Sequence, residues 1–342
     1  NTMSAEQLEK NLKAIHGNLT DTAVGTHEGM SNCIHHRLIR GRLKKLFKEE
    51  NPKPTYTFDS SSHKIGELAW STDEQMLAMS LFTNDASTNK IAIVSISNLR
   101  IKEEMLHPNY LTYLTFNSTN SHLAAANEKG LLYIWKLGFN QVPPKVINWA
   151  QGKIISQLAF NEKGDQITAL CHAIDHLHSE FRAKENESSL ITFDLESGNI
   201  IKKLCENSNV LRFNIDGNLL RIAQKKSGKE PLPTSWDSII DLETGNEKPT
   251  DTKQSRHLSA AHTTHHPDGI HRITRDRHAI SLTDNKKTVS FACNLFPYGN
   301  ALFSPNGSFL ALGGYCTKKK NQEFDTLIEK QNVLHIYDLP SI

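Results

Sequence analysis

The stretch Ala301-Leu302-Phe303-Ser304-Pro305-Asn306-Gly307-Ser308-Phe309-Leu310-Ala311-Leu312 decides the fold of this chain. It reads as an apolar strand closed by a large residue, a polar turn, and a second apolar strand; a third follows at Val333-Leu334-His335-Ile336-Tyr337-Asp338. The pattern recurs upstream, with strand ends at Leu68-Ala69-Trp70, Leu114-Thr115-Phe116, Leu158-Ala159-Phe160, Leu211-Arg212-Phe213 and Thr263-Thr264-His265. Intervals between successive ends are 46, 44, 53, 52 and 38 residues. A repeat of that length, made of short strands, predicts sheets stacked radially or in a line. Such architectures mostly present surfaces and seldom carry chemistry in the repeat itself.

The third unit shows the internal order: strand Ile155 to Phe160, turn Asn161-Glu162-Lys163-Gly164, strand Gln166 to Cys171, and a third strand Leu190 to Leu195. These units resemble those of WD-repeat β-propellers, which carry a Phe-Ser-Pro-Asp-Gly-like turn and close the third strand on Trp-Asp. Here the corresponding residues are His265-His266-Pro267-Asp268-Gly269, Ile134-Trp135-Lys136, Phe193-Asp194, Ile240-Asp241 and Tyr337-Asp338. No Gly-His dipeptide precedes a strand, so the family's His/Asp hydrogen-bond tetrad is not carried over. The resemblance spans roughly residues 55 to 342 and implies an all-β propeller of six blades, with seven as the alternative. The sixth unit supplies only three of the four strands a blade needs. Tyr56-Thr57-Phe58, just ahead of the first unit, is placed to be the fourth and to close the ring.

Residues 1–54 differ in kind. Ser4-Ala5-Glu6-Gln7 has the form of a capping box, and Leu8, Leu12, Ile15 and Leu19 follow at helical spacing. A second helical pattern runs through Ile34, Leu38, Leu46 and Phe47 and stops before Pro52. The division is therefore a short helical N-terminal segment, 1–54, ahead of a propeller, 55–342. The opening Asn1-Thr2-Met3 reads as two added residues before a start methionine.

At 342 residues the length suits two average domains, but all-β repeat folds run longer as one unit. Net charge is only +2, so any basic function has to be local, and nucleic acid is not the expected partner. Five scattered cysteines, none in a C-x-x-C pair, fit a reducing compartment: the cytoplasm, or a host cytosol if the chain is a bacterial effector. There is no apolar stretch near 18 residues and no charged-then-apolar leader, so neither a transmembrane span nor a secretory signal is expected. The Asn-x-Ser/Thr triplet at Asn117 then reads as chance.

Function is sought where the units differ. Between second and third strands the chain inserts Phe82 to Asn89, His172 to Ser189, Gln224 to Ser235 and Tyr315 to Gln331, while the other two units turn tightly. In a propeller these connections share one face, the first candidate for binding; drift in tolerant loops is the competing account. Lys225, Lys226, Lys229, Arg275, Arg277, Lys318, Lys319 and Lys320 lie on these connections in units four to six and are the candidate partner-binding arc. Such an arc suits an acidic or phosphorylated protein. Arg37, Arg40, Arg42, Lys44, Lys45 and Lys48 form a basic amphipathic stretch, a candidate contact with a partner or a membrane surface.

The 17 histidines cluster at His257, His262, His265, His266, His271 and His278, with His172, Asp175, His176 and His178 as a second group. Neighbouring strand residues point to opposite sides and cannot easily share an ion, so satisfied or exposed histidines are expected rather than a metal site. No nucleophile-elbow, P-loop, zincin or dinucleotide motif is present, and no catalytic residue, metal or cofactor is assigned. The sequence points to a non-enzymatic scaffold or adaptor. A membrane-surface or nucleic-acid binder, and a metal-dependent hydrolase using the histidines, are the alternatives.

Overall fold

The computed structural model describes residues 53–61, 63–83, 89–107, 109–138, 142–148, 153–175, 182–216, 219–224, 238–242, 244, 246–249, 272–275, 280–283, 288–291, 301–321 and 326–339. The described residues contain strands and turns but no helix. The helical patterns expected within 1–54 lie outside them, as does the fifth repeat end, Thr263-Thr264-His265.

After β1 (Tyr56–Ser61), the strands fall into antiparallel sheets in chain order. The first sheet holds β2 (Lys64–Trp70), β3 (Met76–Phe82), β4 (Lys90–Ser95) and β5 (Ile101–Leu106). The second holds β6 (Leu111–Phe116), β7 (His122–Asn127), β8 (Leu132–Lys136) and β9 (Lys145–Ile147). The third holds β10 (Lys153–Phe160), β11 (Gln166–Asp175), β12 (Arg182–Asp194) and β13 (Ile200–Ser208). The fourth holds β14 (Val210–Asp216), β15 (Leu219–Gln224), β16 (Ser238–Asp241) and β17 (Glu247–Pro249). The fifth shows β18 (Arg272–Arg275), β19 (Ile280–Thr283) and β20 (Thr288–Phe291). The sixth has β21 (Ala301–Phe303), β22 (Phe309–Asn321) and β23 (Thr326–Asp338), and β1 pairs with β23 as its outer strand. That pairing sets Tyr56 opposite Ile336, Thr57 opposite His335 and Phe58 opposite Leu334.

The repeated turn explains the repeated sequence. Its first residue, Ser71, Asn117, Asn161 or Ser304, accepts through its side-chain oxygen the backbone N–H five residues on, at 2.9–3.1 Å. The same residue's carbonyl accepts the N–H three residues on, from Glu74, Asn120, Gly164 or Gly307. That fourth position has φ of 59°, 56°, 73° and 71° respectively, a left-handed geometry that glycine and asparagine adopt at least cost. A side-chain acceptor followed three residues later by a residue tolerant of positive φ is the local code for the hairpin.

The first strands of the first four sheets also carry a β-bulge: between Ile65 and Leu68, Leu111 and Tyr113, Ile155 and Gln157, and Val210 and Arg212. Counted from the bulge, the sequence reading of the fourth unit shifts by two residues. Phe213 takes the place of Leu158, fully buried, and β14 continues to Asp216 before turning to Leu219. Ile215, not Phe213, therefore holds the strand-end position. The aromatic residue misleads because a core phenylalanine and a strand-end phenylalanine look alike in sequence.

The sheets pack face to face, with complementary sizes. One face of the first sheet, with Ala69 and Ala78, receives Leu114, Phe116 and Trp135 of the second. The second sheet's other face, with Ala124 and Ala126, receives Leu158, Ile167 and Phe193 of the third. The third in turn packs Leu170 and Leu190 on Phe213 and Ile222 of the fourth. On the opposite side, Leu68, Trp70 and Met79 of the first sheet meet Leu302, Ala311 and Leu334 of the sixth. Burying one large apolar side chain contributes about 1.5–3 kcal/mol, so these interfaces are the main source of order. Polar pairs fix the stacking: Trp70 Nε1 donates to Leu302 O at 3.3 Å, Thr112 Oγ1 to Ile155 O at 2.7 Å, and Gln157 Nε2 to Phe213 O at 2.6 Å.

Two expected insertions are strands. β11 and β12 pair as far as Asp175 opposite Arg182, and β22 and β23 as far as Asn321 opposite Thr326. Polar composition suggests loops at these places. Pairing along a two-stranded ribbon satisfies its backbone groups without a long apolar run, however.

Candidate functional site

The two ends of the sheets differ. At one end the first-to-second turn of a sheet bonds to its third-to-fourth turn: Ile96 N–H donates to Gln75 O, Leu137 to Ser121 and Leu195 to Asp165, and in the sixth sheet Leu339, just past β23, donates to Ser308, at 2.8–3.0 Å. The second-to-third connections, which carry the candidate cations in sequence, leave from the opposite end.

Lys318, Lys319 and Lys320 lie on β22, opposite Glu329, Ile328 and Leu327 of β23. The pairing of β1 with β23 stops at Ser61 opposite Asn332. From Cys316 to Asn321, paired with Gln331 to Thr326, the two long strands thus continue as a ribbon past β1, roughly 20 Å at ~3.3 Å per residue. Arg275 ends β18, opposite Ile280, at the hairpin to β19. Lys225, Lys226, Lys229 and Arg277 lie outside the described residues, as do Arg37, Arg40, Arg42, Lys44, Lys45 and Lys48. The arc is therefore represented by its fifth- and sixth-sheet members alone.

Polar groups collect at the hairpin end of the first three sheets. His107 is buried, its Nδ1 2.6 Å from Asn109 O, and Asn109 Nδ2 donates to Tyr133 Oη at 3.3 Å. Phe82 and Tyr110 meet edge to face beside them. In the third sheet His172 Nε2 lies 2.7 Å from Ser156 Oγ, where Ser156 is the bulge residue of β10. Burial holds the His107 and His172 imidazoles below their ordinary pKa, which keeps them neutral at pH 7. Cys171 beside His172 is buried and its thiol is pushed up to about 12, so it is an inert core residue. Among the described residues no group of three or more His, Cys, Asp or Glu is arranged to hold a metal ion. His257, His262, His265, His266, His271, His278, His176 and His178 lie outside them.

A recess that sequence reasoning missed opens at the other end. A cavity of about 380 Å³ runs from the turn residues Thr72, Ser118 and Glu162 inward between β6, β10 and β14 to Tyr113 and Gln157. Glu67, Tyr113, Gln157 and Arg212 each stand one step past the bulge of successive first strands. Burial, together with the nearby Glu67 carboxylate, raises the Tyr113 phenol well above its ordinary pKa, and it stays protonated. Gln157 bridges to the fourth sheet with both amide atoms, giving to Phe213 O and accepting from Phe213 N at 3.0 Å. The available signal was a polar residue immediately before the core leucine, in Glu67-Leu68, Tyr113-Leu114 and Gln157-Leu158.

Among the described residues no helix is long and apolar enough to cross a membrane. Comparison with protein-family models and with curated proteins finds no match to this chain.

Proposed function

We propose that this chain is a six-bladed WD-repeat-type β-propeller that serves as a protein-interaction module and not as an enzyme. Its partner is an acidic or phosphorylated protein met at the hairpin end. The observation that carries the reading is the ribbon of β22 and β23, which runs past the outer strand β1 with Lys318, Lys319 and Lys320 on one strand. A rigid scaffold that extends a cationic ribbon suits recognition of carboxylate or phosphate groups by charge and hydrogen bonding. The packing of sheet upon sheet, from the sixth through the first to the fourth, supports the ring. So does β1, an N-terminal strand that completes the last blade.

Lys225, Lys226, Lys229, Arg275 and Arg277 extend the cationic arc to the neighbouring blades in this reading, and the segment with Arg37 to Lys48 adds a second contact. A reducing compartment, the cytoplasm or a host cytosol, is the proposed setting. The test is binding of the full chain to an array of acidic and phosphorylated peptides. K318E/K319E/K320E, alone and with R275E, should weaken capture by at least about tenfold, the equivalent of about 1.4 kcal/mol. Capture should also fall steeply with added salt. Undiminished binding by the charge-reversed proteins removes the arc as the recognition element.

A further inference from the structure

We infer that the cavity between β6, β10 and β14 is a binding pocket for a guanidinium group, the side chain of an arginine presented by a partner at the turn end of the sheets. The case rests on where its hydrogens are directed. Thr72 Oγ1 donates to Ser118 O at 2.9 Å or to Asn120 Oδ1 at 3.1 Å. Thr115 Oγ1 donates to Phe116 O at 3.3 Å, and Ser118 Oγ to Glu162 O at 2.6 Å. A hydroxyl whose only proton is committed to a carbonyl faces a ligand with lone pairs alone.

The Asn161 amide gives one N–H to Asp165 Oδ1 at 2.7 Å, and the Gln157 amide gives one to Phe213 O. Tyr113 is hydrogen-bonded to Gln157, and Asn214 completes the polar lining. The three hydroxyls thus face the cavity as acceptors. Glu162 adds an exposed carboxylate at the mouth, and Phe116 and Phe160 add aromatic surface. The described lining includes no lysine, arginine or histidine; Lys163, next along the turn, lines the adjoining recess between the third and fourth sheets, which shares Asn161 and Glu162 with this one.

Acceptors, one carboxylate and aromatic walls together select a cationic donor. Among such donors, a planar guanidinium with five N–H groups uses several acceptors at once, whereas an ammonium offers three from a single point. The cavity of about 380 Å³ falls within the size range of ligand pockets, about 300–1,000 Å³. This pocket is independent of the cationic ribbon, which leaves from the other end of the sheets.

The test titrates the full chain with N-acetyl-arginine amide and with N-acetyl-citrulline amide, a neutral near-isostere, by calorimetry or ligand-observed NMR. Arginine amide should bind saturably, and citrulline amide at least about tenfold more weakly, since hydrogen bonds to a charged group are about twice as strong as neutral ones. Glu162→Gln, at an exposed position, and Thr115→Val, which removes one acceptor at constant shape, should each weaken arginine binding several-fold. K318E/K319E/K320E should leave it unchanged. Equal affinity for citrulline, binding indifferent to Glu162→Gln, or no saturable binding would each overturn the assignment. Melting curves of both variants show that any loss comes from a folded protein.

Discussion

Asn117 shows how much one turn residue does. Its Oδ1 accepts from Ser121 N and His122 N, at 2.9 and 3.0 Å. Its Nδ2 donates to Thr119 Oγ1 and Ser121 Oγ, at 3.0 and 3.1 Å. The amide is buried and fully engaged in holding the turn. The role was half legible, because Ser and Asn recur at the first turn position, but the partners of the amide were not. Histidines follow a different rule. Burial is the first cause holding His107, His122, His172 and His335 below the ordinary pKa of 6.5. Below about pH 6.5 the unfolded chain takes up protons that the native imidazoles refuse, so stability present at neutral pH is lost as pH falls through the native pKa values. The urea midpoint should therefore be lower at about pH 5.5 than at about pH 7.5, and His107→Asn should flatten that dependence. A midpoint that did not move with pH would contradict the burial of these rings.

Strands at the outer edge of one sheet stitch that sheet to the next. Lys145 of β9 donates through Nζ to Leu195 O and Glu196 O in the third-to-fourth turn of the third sheet. Lys202 of β13 does the same to Leu242 O of the fourth, at 3.0 Å. Glu103 of β5 accepts from Gly138 N of the second sheet at 3.1 Å. In sequence these are outer-strand charges with no visible partner, indistinguishable from solvated lysines, because the partner is a carbonyl some 50 residues away. Lys145→Met keeps the aliphatic stem and removes the ammonium. It should cost about 1.5–3 kcal/mol in chemical denaturation, the size of a hydrogen bond to a charged group. Lys163→Met, at an exposed turn position, should cost nothing measurable. Equal midpoints for the two variants would show that the stitch has no energetic weight. By contrast Lys90 and Glu104, 2.7 Å apart on the surface of the first sheet, belong to the class of exposed pairs that contribute about 0–1 kcal/mol.

For the whole molecule the decisive pairing joins the ends of the described chain. β1 covers the outer edge of β23 from Tyr56 to Ser61, and Thr55 Oγ1 accepts the backbone N–H of Asp338 at 2.9 Å. Ser60 Oγ adds bonds to His63 O and Asn332 O, at 2.6 and 3.2 Å. Removing residues 1–61 takes away these contacts and leaves the backbone groups of β23 open along one edge, a template for pairing with another chain. The truncated protein should melt at lower temperature and elute as concentration-dependent larger species. A monomer of unchanged melting temperature would mean that β1 is dispensable to the sixth sheet.

By itself the sequence determined the strand-turn-strand unit, because its code is local: an acceptor side chain, a residue tolerant of positive φ four positions into the turn, and apolar runs on either side. It also located Tyr56 to Phe58 as the strand the last unit lacks, since strand counting needs no coordinates. Only the tertiary structure decided the register of the fourth unit, the ribbons at β11–β12 and β22–β23, the carbonyl partners of Lys145 and Lys202, and the acceptor-lined cavity. These depend on residues roughly 5 to 60 positions apart, brought together when one sheet packs on the next or one strand pairs with another. A pattern read along a single strand carries no trace of which neighbour it will meet.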